Sequence, residues 1–153
     1  YELANFANGV FVVDIIEKEL SYLIMQAAYE VHNNLGPGFP EMLYEQAMVR
    51  ELMLRNLTLQ RQRKIVVNYK QEPLGEFILD LTVNERIILE LKAVSSILKL
   101  HEQQAFSYLK ATDLQLAIVI NFGAESVQSS RVVNTKSKPA VSPRVPQIRQ
   151  ILK

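Results

Sequence analysis

The chain has 153 residues, 48% of them hydrophobic and 22% charged, a length and balance suited to one domain around a single core. It has no cysteine, which excludes disulfides and thiolate metal sites, and only two histidines, His32 and His101, which argues against a histidine-rich zinc site. A metal would have to rest mainly on oxygen ligands, the preference of magnesium and manganese.

The net charge of +1 is unevenly spread: the first thirty residues carry five acids and one base, whereas six bases and no acid follow from Arg131 onward. Such a basic end suits either contact with phosphate backbones or simple solvation as a tail. The apolar run from Val10 to Ile16 is short and interrupted by Asp14. It reads neither as a bilayer span nor as a signal peptide, so no membrane partner is expected and the cytoplasm is the expected location.

Residues 1 to about 15 have no clear period, although Val10 to Ile16 could form a short strand or pack as an arm. Leu20, Leu23, Ile24, Ala27, Ala28, Val31 and Leu35 then fall at helical spacing and predict an amphipathic helix, stopped by Gly36-Pro37-Gly38. A second helix is expected from about Glu41 to Arg55, with apolar positions spread widely enough to suggest burial on more than one side. Leu59 to Tyr69 reads as a strand, Gln71 to Gly75 as a turn, and Glu76–Val83 and Arg86–Lys92 as two further strands around Asn84-Glu85. Leu100 to Ala111 looks helical. Leu114 to Phe122 is an apolar strand expected to be buried on both faces, and Arg131 to Val133 is a candidate short edge strand. Thr135 to Pro146 holds three prolines and reads as a tail. The order α-α-β-β-β-α-β predicts an α/β fold with one mixed central sheet flanked by helices, antiparallel in the middle and parallel across the β-α-β end.

Chemistry concentrates in Phe77-Ile-Leu-Asp80 and Ile87-Ile-Leu-Glu90-Leu-Lys92. Two carboxylates and a lysine interrupt apolar strands, and burying charge without a partner is costly. Alternation along a strand sets Glu90 and Lys92 on one face and Ile87, Leu89 and Leu91 on the other. Two carboxylates can hold a divalent ion for phosphodiester hydrolysis, and a lysine can orient water or stabilise the transition state. The competing reading is an ordinary salt bridge between Lys92 and a carboxylate. If Asp80 and Glu90 meet across a hairpin, side-chain parity requires an odd-length loop or a bulge near Asn84, or a splay of the strands at Asp80.

Further motifs carry a family resemblance. Gly38-Phe-Pro-Glu41-Met-Leu-Tyr44 fits G-x-x-E-x-x-Y. It follows Glu30-Val31-His32 and Leu35-Gly36-Pro37-Gly38, and precedes Asp80, Glu90-Leu-Lys92-Ala-Val94, Gln104-Ala-Phe-Ser-Tyr108-Leu-Lys110 and Ile120-Asn121-Phe122-Gly123. Over about residues 20–133 the chain resembles the GxxExxY family, a branch of the PD-(D/E)XK nuclease superfamily. The residue before Asp80 is Leu79 rather than the proline of the superfamily's name.

The resemblance implies a restriction-endonuclease-like core and a metal-dependent nuclease using Mg2+ or Mn2+. Asp80 and Glu90 would be the metal carboxylates and Lys92 the catalytic lysine. The Leu91 carbonyl would complete the metal shell, and Glu41 would reach the metal directly or through water. Gln104 would hold the lysine or a phosphate. Gln104 and Tyr108 resemble the Q-x-x-x-Y element of the nuclease domains found in recombination helicases and, four residues apart, share a helix face; by that resemblance Tyr108 and Lys110 would contact the nucleic acid. His32 matches a histidine that ligates metal from the first helix in some related nucleases, although a structural role at the helix end fits it as well. Tyr44 fits a packing role with a satisfied hydroxyl, and His101 a surface position. The implied partner is nucleic acid, DNA ahead of RNA; the small core leaves little surface for sequence-specific recognition, so either weak specificity or help from a homodimer or protein partner is expected. The alternative is a non-catalytic nucleic-acid-binding or protein-interaction module on the same fold. The division read from the chain is an N-terminal arm at 1–19, the nuclease-like domain at 20–134 and a basic Pro- and Ser-containing tail at 135–153.

Overall fold

The computed structural model describes residues 15–137 and, before them, the backbone of two short strands, β1 (Ala4–Ala7) and β2 (Val10–Val13). The two pair as an antiparallel hairpin, so the apolar run begins as a strand. Most of the proposed basic tail, 138–153, lies outside the described residues. Its first residues, Thr135 to Ser137, fold back as a turn, with Gln115 Nε2 donating to the Ser137 carbonyl at 3.1 Å.

Helix α1 spans Lys18–Leu35 and α2 spans Glu41–Leu54. Strands β3 (Leu59–Tyr69), β4 (Glu72–Val83) and β5 (Ile87–Lys92) follow, then α3 (Lys99–Thr112), β6 (Leu116–Asn121) and β7 (Gln128–Val133). One five-stranded sheet has the order β3-β4-β5-β6-β7. Only β5–β6, joined through α3, is parallel; the other neighbours are antiparallel. This is the mixed α/β sheet expected of a restriction-endonuclease-like core. Among the described residues no helix is long and apolar enough to cross a membrane.

The sheet is covered on both faces. Leu20, Ile24, Ala27, Ala28 and Val31 of α1, with Tyr44, Met48 and Leu52 of α2, pack on Leu81, Val83, Leu89, Leu91, Ile118 and Ile120. Ala105 and Leu109 of α3 pack on Ile65, Leu79, Ile88, Ala117 and Val119. Strand β6 is buried along its whole length, in keeping with its unbroken apolar run.

Three expectations are corrected. Helix α2 buries only Tyr44, Met48 and Leu52, a single stripe at four-residue spacing, and leaves Met42, Leu43, Met53 and Leu54 exposed. Its apolar residues are plentiful because its outer side is apolar too, and not because it is enclosed. The turn expected at Gln71–Gly75 is instead Lys70-Gln71, both with positive φ (49° and 69°), and Glu72 already pairs with Tyr69. A two-residue turn of this kind matches the strand twist, and it forms here without glycine. Pro73 sits within β4 where β5 does not pair, so its missing N–H interrupts no ladder on that edge. Finally, the edge strand β7 is longer than Arg131–Val133, reaching back to Gln128.

Behind β5 the chain is clamped by Asn121 and Gly123. Asn121 is fully buried. Its Oδ1 accepts from the N–H groups of Val94 (2.9 Å) and Gly123 (3.0 Å), and its Nδ2 donates to the Val94 carbonyl at 2.8 Å. Phe122 N–H donates to the Lys92 carbonyl at 2.8 Å. Gly123 lies so close to this strand end that a Cβ would come within 2.3 Å of the Val94 carbonyl oxygen. Gly123→Ala is therefore expected to destabilise the protein by about 1–3 kcal/mol, the usual range for overpacking, as read by urea unfolding. Gly75→Ala meets nothing within 4 Å and should stay within about 0.5 kcal/mol of wild type.

Candidate active site

The β4–β5 connection sets the site. Val83 pairs with Ile87, Thr82 with Ile88 and Leu81 with Leu89. The intervening loop is Asn84-Glu85-Arg86, an odd length, with positive φ at Asn84 and Glu85 (51° and 54°). Pairing ends at Leu81–Leu89, and one further step would set Asp80 opposite Glu90. The parity requirement of the sequence is thus met by the loop.

The strands also twist at Asp80. Residues two apart on a flat strand share a face, yet Leu79 packs under α3 whereas Leu81 packs under α1 and α2. On β3 the same change separates Leu59 from Ile65. Between them Gln62 adopts φ 51°, and no Gln62–Asp80 pair forms although Arg61–Leu81 and Arg63–Leu79 do. The irregularity turns Asp80 out of the ladder towards the end of β5.

Glu90 is only 5% exposed, and its Oε1 has no hydrogen-bond partner among the described residues. Burial, then the charge of Asp80, raise its pKa to about 8 against the lowering effect of Lys92; Glu41 raises it further. Burial also raises Asp80, reinforced by Glu41 and Glu45 and opposed by Lys92 and a backbone hydrogen bond from Leu91. Tyr108 is raised by burial and by the charges of Glu90 and Asp80, while a hydrogen bond from Gln104 acts the other way. These mutual influences bring Asp80, Glu90, Lys92, Glu41, Gln104 and Tyr108 into one neighbourhood. Lys92 makes no ion pair within 4 Å among the described residues, so the ordinary salt bridge does not account for it.

Other residues stand elsewhere. His32 is buried, and its Nε2 lies 2.9 Å from the Ala124 carbonyl, tying α1 to the loop after β6. Tyr44 is fully buried, stacks on Phe122 with ring centroids 4.9 Å apart, donates its hydroxyl hydrogen to the Gly36 carbonyl and accepts from Phe39 N–H at 3.2 Å. It closes the Gly36–Phe39 turn, whose Gly36 and Gly38 take positive φ. His101 Nδ1 accepts from Leu98 N–H at the start of α3. Lys110 lies over the Phe106 ring, 5.5 Å from its centroid. Sequence reasoning missed Glu45, which pairs with Arg61 at 3.1 Å and approaches Gln62 Nε2 at 3.4 Å, tying α2 to the kink in β3. The signal available was its i+4 spacing from Glu41.

Among the described residues no three His, Asp or Glu side chains converge as a finished metal cage. Two carboxylates suffice for a cation that keeps most of its waters, as magnesium does. An unpartnered buried Glu90 oxygen beside a second carboxylate is the donor set such an ion takes. A larger apolar hollow of about 860 Å³, lined by Ile15, Tyr22 and Met25 among others, involves none of these residues.

Residues 18–133 match the PD-(D/E)XK nuclease superfamily. The chain belongs to this superfamily. Neither the curated proteins nor the solved structures include a match to it. Nucleases of the PD-(D/E)XK superfamily generally use divalent metal ions. Asp80, Glu90 and Lys92 all lie within the residues that match this PD-(D/E)XK model.

A raised carboxylate pKa has a stability consequence. With Glu90 held to about 8 in the fold against 4.5 ordinarily, the folded state retains a proton that the unfolded state has released between those values. Stability of the metal-free protein therefore falls as pH rises through that window and levels off above it. In urea unfolding with chelator, Glu90→Gln is expected to match wild type near pH 4 and to exceed it at pH 9 by on the order of 2 kcal/mol. Equal pH slopes for the two proteins would contradict this origin.

Proposed function

We propose that the protein is a metal-dependent nuclease hydrolysing phosphodiester bonds of DNA, within the GxxExxY branch of its superfamily. The observation that carries this reading is the buried Glu90 carboxylate, with one oxygen unpartnered, beside Asp80 and Lys92. An unmet buried acceptor costs about 1–3 kcal/mol; Thr82 Oγ1 and Arg86 Nε are also unpartnered, and what sets Glu90 apart is the second carboxylate and the lysine beside it.

Asp80 and Glu90 would hold Mg2+ or Mn2+, with the Leu91 carbonyl and, directly or through water, Glu41 completing the shell. The ion, when bound, neutralises charge on the phosphate and lowers the pKa of a bound water. Lys92, half-buried and without an ion pair within 4 Å among the described residues, orients the attacking water and offsets charge developing on the phosphate. Gln104 holds Tyr108 and positions Lys92 or a phosphate oxygen. Tyr108 and Lys110 contact the nucleic-acid backbone. Burial of Glu90 strengthens each of these electrostatic terms by keeping bulk water away.

The test is cleavage of single-stranded and duplex DNA by wild type and by Asp80→Ala, Glu90→Gln and Lys92→Ala, with Mg2+, Mn2+ or chelator. Cleavage is expected only with metal and should fall by about 100-fold or more in each variant while the circular dichroism of the fold is retained. Metal binding by wild type with no cleavage of DNA or RNA would instead make the protein a non-catalytic nucleic-acid-binding module.

A further inference from the structure

Between the β3–β4 hairpin and α3 runs a groove of about 730 Å³, within the range of about 300–1,000 Å³ typical of small-ligand sites. Val67, Asn68 and Phe77 line its hairpin side, and Ser107, Tyr108 and Lys110 its helical side. Phe77 and Tyr108 are stacked, with ring centroids 4.5 Å apart and planes within 10°. The lining contains a lysine and no carboxylate, in contrast to the acidic centre next to it. Tyr108 belongs to both places, since it lines the groove and responds to the charges of Asp80 and Glu90.

We propose that this groove binds an unpaired nucleic-acid strand and leads it to the Asp80–Glu90 carboxylates, so that the substrate of the reaction proposed above is single-stranded or locally opened DNA. Sites for unpaired strands combine a cationic track with aromatic rings on which bases stack without regard to sequence. The groove supplies the rings, Phe77 and Tyr108, and one cationic group, Lys110. In a duplex each base face is already covered by its neighbours and the phosphates are turned outward, so the Phe77–Tyr108 pair has nothing to meet. The amide of Asn68 is a polar group that either a base edge or a phosphate can use, and the Ser107 hydroxyl, which donates to the Gln103 carbonyl at 3.1 Å, keeps lone pairs that can accept from a base edge.

This inference rests on the nuclease reading, but its readout is binding. Fluorescence anisotropy would be measured with a fluorescein-labelled dT12 strand and a labelled 12-base-pair duplex, using wild-type protein in Ca2+ to fill the oxygen-ligand site. The single strand is expected to bind at least about ten-fold more tightly. Ser107→Glu and Val67→Glu, at exposed positions on the two walls, should each weaken dT12 binding by about ten-fold. Ile78→Glu adds the same charge to the opposite face of the hairpin, one residue from Phe77, and should change it less than about two-fold. The proposal is overturned if the duplex binds as well as the strand, if either wall variant binds dT12 like wild type, or if Ile78→Glu weakens it equally. Tight strand binding without cleavage would remove the nuclease reading and leave the groove. Cleavage of duplex that survives Ser107→Glu unchanged, with no strand preference in binding, would do the reverse.

Discussion

Everything distinctive about this protein follows from one carboxylate buried beside another. Glu90 stands on the inner strand β5 with 5% of its surface exposed, its Oε1 unpartnered and Asp80 close by. Two like charges in a medium of low polarity resist ionising together, and a protein built only for stability would replace one of them. Retaining the pair with Lys92 alongside is understandable where a multiply charged cation completes the arrangement.

The fold builds this juxtaposition from three backbone devices. The odd loop Asn84-Glu85-Arg86 sets the register that would bring residue 80 opposite residue 90. The left-handed Gln62 and the missing Gln62–Asp80 pair break the β3–β4 ladder at the place where Asp80 must leave it. The Asn121–Gly123 clamp anchors the far end of β5 through Val94 and the Lys92 carbonyl, just beyond Lys92. Helix α2 then contributes Glu41 and Glu45, the second neutralised in part by Arg61. Of the motif Gly38-x-x-Glu41-x-x-Tyr44, the glutamate therefore faces the acidic centre, whereas the tyrosine secures the turn that starts the helix.

What could be read in the sequence was whatever depends on periodicity or on charge in an apolar setting. The stripe from Leu20 to Val31, the unbroken apolar run of β6, and Asp80, Glu90 and Lys92 within greasy strands all announce themselves. The parity argument asked for an odd loop or a bulge near Asn84, or else a splay at Asp80, and the three-residue loop Asn84-Glu85-Arg86 meets it. Features that depend on a single backbone dihedral were not legible. Lys70-Gln71 forms a tight turn with neither glycine nor asparagine, and Gln62 takes a left-handed conformation that its residue type does not signal. The outer face of α2 is apolar without being buried, so composition alone misplaced it. Glu45 escaped notice because a charged residue on a helix is ordinarily solvated, and only its pairing with Arg61 at the kink shows otherwise.

The central claim is that Asp80 and Glu90 form a cation site whose filling costs Glu90 its proton. Calorimetric titration of Mn2+ at pH 7, repeated in buffers of different ionisation enthalpy, measures this directly. The account predicts one site of binding with close to one proton released per ion, and loss of that proton release in Glu90→Gln, because a group with pKa about 8 is largely protonated before the ion arrives. Absence of binding by the wild-type protein, or binding whose heat does not vary with the buffer, would contradict it.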